Sequence, residues 1–223
     1  MPVEPIGDGV VPGAVAALRK GSPVVVPLPS PLAYTVTATE ASVVNLAKGR
    51  PADQPVGISL ADLGTIAPFL ALADEVLPLV RWLCEDEMVS VLAPVREDVP
   101  AWLRPAVANG SAFFTATPWE PELGGVLAEL ERIYMSSANV TSTAPAVSAA
   151  QAAAAFGDEV LVLDGDRQRD LSRPHGSTAM VRVETGGELS VARPGISSAA
   201  FGDDLPGYAA DLSRRWRLAG SRG

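Results

Sequence analysis

Cysteine, histidine and lysine are almost missing from this chain. One cysteine, Cys84, and one histidine, His175, stand among 223 residues. A single thiol permits no internal disulfide and argues against a cysteine-based metal site. The lone histidine argues likewise against a zinc centre and against a Ser-His hydrolase. Aromatic residues make up 5% of the chain while apolar residues make up 48%, so Ala, Val and Leu must build the core. That composition suits β-strands backed by small-residue helices and excludes a disordered segment. Long apolar runs are absent, none reaching bilayer-spanning length. The first nine residues lack the basic start and apolar stretch of a signal peptide. Cations are in deficit: the formal charge is -9, which opposes broad attraction to nucleic acid. The expectation is a cytoplasmic protein that associates with no membrane, whose net charge opposes direct nucleic-acid binding without excluding a small basic pocket.

The apolar residues that are present change period along the chain, as in mixed α and β structure. Helices are expected over residues 12–20, 40–47, 61–72, 75–84, 101–108, 122–132 and 148–156, with Ser148 as an N-cap and Gly157 as a C-cap. Strands are expected over 24–28, 56–60, 88–94, 112–117, 133–137, 160–163, 178–183 and 189–192. Residues 165–176 read as a polar loop and 203–217 as a terminal helix carrying Arg214, Arg215 and Arg217. One α/β domain is the economical reading, a twisted mixed sheet with flanking helices over residues 1–202. Residues 203–223 then form a C-terminal helix and basic tail. Cys84 reads as buried packing, and Glu85, Asp86 and Glu87 as a solvated helix end, so no metal site is assigned.

Three polar islands interrupt this apolar chain: Lys48 to Pro51, Ser136 to Asn139, and Gly176 to Thr178 followed by Ala192 to Gly195. Each lies where a hydrophobic run meets a loop or a helix start. Only two lysines, Lys20 and Lys48, accompany fifteen arginines, so a lysine two residues from Arg50 stands out. Lysine offers a movable point charge and arginine a planar fork for two phosphate oxygens, which makes the islands candidates for a phosphate cradle.

The segments LPSPLAY (28–34), KGRPADQP (48–55), SSANVTSTAP (136–145), GSTAMVRV (176–183) and ARPGIS (192–197) occur in one order. That ordered set resembles the YrdC-like family, the threonylcarbamoyl-AMP synthases, over about residues 10–200. The resemblance implies a YrdC-like or RibB-like α/β fold. It also implies a reaction in which ATP, L-threonine and bicarbonate give threonylcarbamoyl-AMP and pyrophosphate, feeding tRNA modification at adenosine 37. Magnesium is expected with the ATP, and tRNA-modification proteins as partners. By position, Lys48 and Arg50 are the catalytic pair. Lys48, Arg50, Ser137, Asn139 and Arg193 would bind nucleotide, and Ser30, Tyr34, Ser177 and Thr178 the amino-acid substrate. Ser30 stands where the family carries threonine, and an arginine expected near 112–117 is replaced by Ala116 or a neighbour. Two other readings stay open: a nucleotide- or RNA-binding relative without synthase activity, and a related transfer to another small substrate. His175 reads as a loop residue that the implied chemistry does not require.

Overall fold

The computed structural model describes residues 3–141 and 143–220. The expectations that reach residues 1, 2, 142 and 221–223, including the last three positions of the basic tail, lie outside the described residues. In chain order the first elements are β1 (Val3–Pro5), α1 (Val10–Arg19), β2 (Val24–Val26), β3 (Thr35–Ala38), α2 (Ala41–Ala47) and β4 (Gly57–Leu60). Then come α3 (Leu77–Glu85), β5 (Ser90–Pro94), β6 (Val107–Ala108), β7 (Ser111–Thr115), α4 (Gly124–Leu130) and β8 (Arg132–Ser137). The last are α5 (Ala149–Phe156), β9 (Leu161–Asp164), β10 (Met180–Val183), β11 (Leu189–Arg193) and α6 (Leu205–Gly220). Two compact units share them. The chain up to Ala61 with Pro118–Ser177 forms one unit, and Asp62–Thr117 with the chain from Thr178 onward forms the other.

In the first unit the strands run in the order β1-β9-β2-β3-β8-β4. β1 and β2 flank β9 in parallel, whereas β3 lies antiparallel to β2 and β8, and β4 antiparallel to β8. Val24, Val25 and Val26 are fully buried, as a continuous β-branched run in a central strand should be. β3 was not anticipated: Thr35-Val36-Thr37-Ala38 is buried at every position. Its threonines survive burial because Thr35 Oγ1 donates to the Ser136 carbonyl at 2.6 Å and Thr37 Oγ1 to the Val24 carbonyl at 2.8 Å. Ser148 caps α5 as expected, its Oγ accepting from the Gln151 amide at 3.3 Å. α1 meets α4 closely, and a Cβ on Gly125 would lie 3.2 Å from Val11.

In the second unit β7, β5, β10 and β11 lie side by side, with β6 paired to β7. β10 runs parallel to β5 and antiparallel to β11. Two expected helices are corrected here. Residues 61–72 carry helical spacing, yet they form only the short 3₁₀ turns Leu63–Thr65 and Ala67–Phe69, interrupted by Gly64 and Pro68. Residues 101–108 end as β6 in a hairpin to β7. Asn109 and Gly110 supply positive φ at both turn positions, 49° and 71°, which a two-residue hairpin of this twist requires.

The expected terminal helix is α6, which packs on β11. Arg214 and Arg215 pair with Asp211, and Arg215 also pairs with Glu87 and lies 5.9 Å over the Trp82 ring. Trp82 in turn meets Trp216 at 5.6 Å. Cys84 is fully buried, as expected. Among the described residues no helix is long and apolar enough to cross a membrane.

Candidate functional site

The first polar island is a helix stop. After Ala47, Lys48 closes α2 and Gly49 takes φ +66°, the left-handed conformation that glycine adopts without strain. The Gly49 amide donates to the Leu46 carbonyl at 3.0 Å and the Arg50 amide to the Asn45 carbonyl at 2.9 Å. These two bonds define a Schellman cap. Asn45, itself fully buried, donates to the carbonyls of Ala52 and Gln54 at 3.2 and 2.6 Å and so anchors the loop that follows. Lys48-Gly49-Arg50 is thus a turn that delivers two cations, one on each side of a glycine.

Both cations meet the second island at the end of β8. Lys48 is 0% exposed, and its ammonium donates to the carbonyl of Ser137, to the carbonyl of Asn139 at 2.6 Å and to Asn139 Oδ1 at 2.8 Å. Asn139 Oδ1 also accepts from Ser137 Oγ at 2.7 Å, while its amide donates to the carbonyls of Val140 and Thr143 at 3.1 and 2.6 Å. Arg50 is half-buried, with Nε donating to Thr141 Oγ1 at 3.2 Å and Nη1 reaching Ser136 Oγ at 3.4 Å. Partial burial lowers the Arg50 pKa from its ordinary value. Lys48, Arg50, Ser137 and Asn139 therefore share one cluster, although Lys48 and Asn139 lie 91 residues apart in sequence. Lys48 is not the mobile point charge that its residue type suggests, because its ammonium is already engaged and sealed from solvent.

Ser30 lies on the approach to β3. Its Oγ is 2.9 Å from His175 Nε2 and accepts from the Asp170 amide at 3.3 Å. His175 Nδ1 is 2.8 Å from the Arg173 carbonyl. The segment around Gly176 is strapped to 31–33, Ala33 N donating to Gly176 O at 2.8 Å and Gly176 N to Pro31 O at 3.1 Å. Ser177, the last residue of this unit, is half-buried.

Tyr34 differs from the expectation of substrate contact. It is 0% exposed, and its hydroxyl donates to Asp166 Oδ1 at 2.7 Å and accepts from the Gly165 amide at 3.0 Å. Burial, reinforced by the bond to Asp166, pushes its pKa well above the usual tyrosine range. The Arg169 guanidinium lies 4.7 Å over the Tyr34 ring, donating to the carbonyls of Leu32 and, at 2.9 Å, Val147. Tyr34 is accordingly a pin that holds the 165–169 turn.

In the second unit Thr178 Oγ1 is 2.7 Å from Ser90 Oγ, and Arg193 Nη2 donates to the Thr178 carbonyl at 3.3 Å. Gly195 is pressed onto the same backbone: a Cβ there would lie 2.1 Å from Ala179 N and 2.3 Å from the Thr178 carbonyl carbon. Thr178, Arg193 and Gly195 are thereby joined, as the third island suggests. Ser90, Asp166 and Arg169 were not anticipated. Ser90 is hidden in an apolar run, and the other two belong to a loop whose composition reads as solvated.

A family model described as telomere recombination, covering the Sua5, YciO and YrdC proteins, matches residues 16–195. The chain belongs to this family. No curated protein sequence matches it significantly. Among solved structures it is similar to a doubly substituted Sua5 from P. abyssi, at 20% identity and TM-score 0.69 over 87% of this chain and 57% of that one. It is similar to P. abyssi Sua5 complexed with L-threonine, at 19% identity and TM-score 0.66 over 87% of this chain and 58% of that chain. Similarity to YciO from E. coli, at 14% identity and TM-score 0.63, covers 87% of this chain and 94% of that one. These likenesses establish the fold, a mixed β-sheet with flanking helices. The chain spans under three-fifths of the length of the Sua5 structures.

Proposed function

We propose that this chain binds ATP and makes threonylcarbamoyl-AMP from it with L-threonine and bicarbonate. The observation that carries the reading is the cluster of Lys48, Arg50, Ser136, Ser137 and Asn139, two cations among hydroxyls and an amide at one strand end. Family membership supports it, as does the Sua5 of P. abyssi complexed with L-threonine. Bicarbonate and the threonine amine condense to a carbamate with loss of water. A carbamate oxygen then attacks the α-phosphorus of ATP, and the bond to the pyrophosphate oxygen breaks. Little covalent help is needed, because position and charge carry phosphoryl chemistry. Arg50 offers its guanidinium fork to phosphate oxygens, whereas Lys48 acts from beneath, holding Ser137 and Asn139 in place and adding its charge. Arg193 is assigned to phosphate and Ser30, Ser177 and Thr178 to the amino acid by motif position. Magnesium enters with the nucleotide, held mainly by phosphate oxygens and water.

The test is pyrophosphate release from ATP with L-threonine and bicarbonate, with the adenylate identified by mass spectrometry. Threonine-dependent product is expected, with turnover lost in Arg50→Ala. ATP binding without product would favour the second reading, a nucleotide-binding relative that has lost synthesis. The sealed, fully engaged ammonium of Lys48 is the observation on its side. No ATP binding at all would remove both.

A further inference from the structure

We propose that Ser30 and His175 form a nucleophile–base pair able to attack activated acyl esters, an activity distinct from ATP-dependent synthesis. A serine nucleophile needs a base within hydrogen-bond reach and a third group that orients the base. All three are present within the first unit. Ser30 Oγ lies 2.9 Å from His175 Nε2, and His175 Nδ1 lies 2.8 Å from the Arg173 carbonyl. A carbonyl can only accept, so Nδ1 carries a proton, and in the neutral form of the ring Nε2 presents its lone pair to Ser30. The seryl hydroxyl then donates to the base. The Asp170 amide donates to Oγ at 3.3 Å and so helps fix the hydroxyl beside the ring. Ser30 and His175 are both half-buried, so the pair is neither sealed in the core nor fully solvated. One histidine is a poor basis for dismissing such chemistry: a dyad needs only one, and here it arrives 145 residues downstream of the serine.

In the reaction, Oγ forms a bond to the acyl carbon while its proton passes to Nε2. The bond from that carbon to the leaving oxygen breaks, and the proton on Nε2 goes to the leaving group. Water, deprotonated by the same ring, then releases the acid and restores Ser30. The charged neighbours of His175 on its own loop are Asp170, whose carboxylate accepts from Ser172, and Arg173. The facing 28–33 segment carries no charged residue.

The test is an alkyl fluorophosphonate, which captures such a serine by forming an Oγ–P bond as fluoride leaves. The adduct is mapped by peptide mass spectrometry across a pH series. A single adduct on Ser30 is expected in the wild-type protein, forming faster as the imidazole loses its proton. It should be absent in Ser30→Ala and slowed by roughly 100-fold or more in His175→Gln, the usual range for a general base. No adduct on Ser30 in the folded wild-type chain overturns the proposal. So does a Ser30 labelling rate that is flat with pH, a result that needs no variant to fold.

Discussion

Replacing Lys48 by methionine removes an ammonium while keeping most of the apolar stem, and so isolates what the charge contributes. Three oxygens lose a donor: the carbonyls of Ser137 and Asn139 and Asn139 Oδ1. The first keeps the Asn139 amide, at 2.9 Å, and the last keeps the hydroxyl of Ser137, so the Asn139 carbonyl is the acceptor left orphaned. A hydrogen bond to a charged group contributes about 1.5–3 kcal/mol net. The low end applies because the variant no longer desolvates an ammonium. One such bond gives a loss of about 1.5 kcal/mol. For a chain of this size, 1 kcal/mol moves the melting temperature by about 2–4 °C, so a drop of roughly 3–6 °C is expected. Thermal unfolding followed by far-ultraviolet circular dichroism reads it directly. A variant that melts within about 2 °C of the wild type, or higher, would refute the view that Lys48 ties α2 to the end of β8. An alanine variant at this position therefore alters stability as well as any nucleotide binding, and Arg50→Ala is the cleaner probe of binding.

The Gly195→Ala substitution should cost at least the upper part of the roughly 1–3 kcal/mol typical of overpacking, because the clash at 2.1 Å is with backbone that has no rotamer to change. Wild-type melting of that variant would disprove the close approach. Tyr34→Phe strips a donor from Asp166 and an acceptor from Gly165, a loss of about 1–3 kcal/mol. It should show as faster amide exchange over 165–170, and unchanged protection there would count against the pin. Burial pushes the Cys84 thiol from its ordinary 9.0 up to about 12, so the folded state holds this proton more tightly than the unfolded one. Its contribution is fully present below pH 9 and is lost as pH rises towards 12. The raised Tyr34, Tyr134 and Tyr208 act in the same direction above pH 10. Urea midpoints should fall with rising alkalinity, and a thiol reagent at neutral pH should react with Cys84 only after unfolding. Native reactivity, or a flat alkaline profile, would contradict this.

Local chemistry made much of this legible. The valine run of β2, the Ser148 cap and the K-G-R stop after α2 are each decided by neighbours within a few residues, and they stand where the pattern puts them. So does the meeting of the K-G-R and S-S-A-N segments, which their ordered resemblance to a family implied. What was not legible depends on distant partners. Thr35 and Thr37 fall outside the expected strands because nothing nearby says that Ser136 and Val24 will satisfy their hydroxyls. Gly64 and Pro68 outweigh the helical spacing of 61–72, and Asn109-Gly110 makes a hairpin turn that the apolar spacing of 101–108 conceals. Arg169 belongs to a loop of polar composition, yet it is 5% exposed because the Tyr34 face and two carbonyls receive it.

The two lysines occupy opposite environments, Lys20 exposed and Lys48 sealed. Amine-directed chemistry on the native protein will therefore mark Lys20 and spare Lys48. Reductive methylation with an isotopic label would give two lysine resonances, one ordinary and one that emerges only when the end of β8 lets go of its ammonium. The scarcity of lysine thus equips the chain with a built-in spectroscopic reporter, placed on the cluster whose opening matters most.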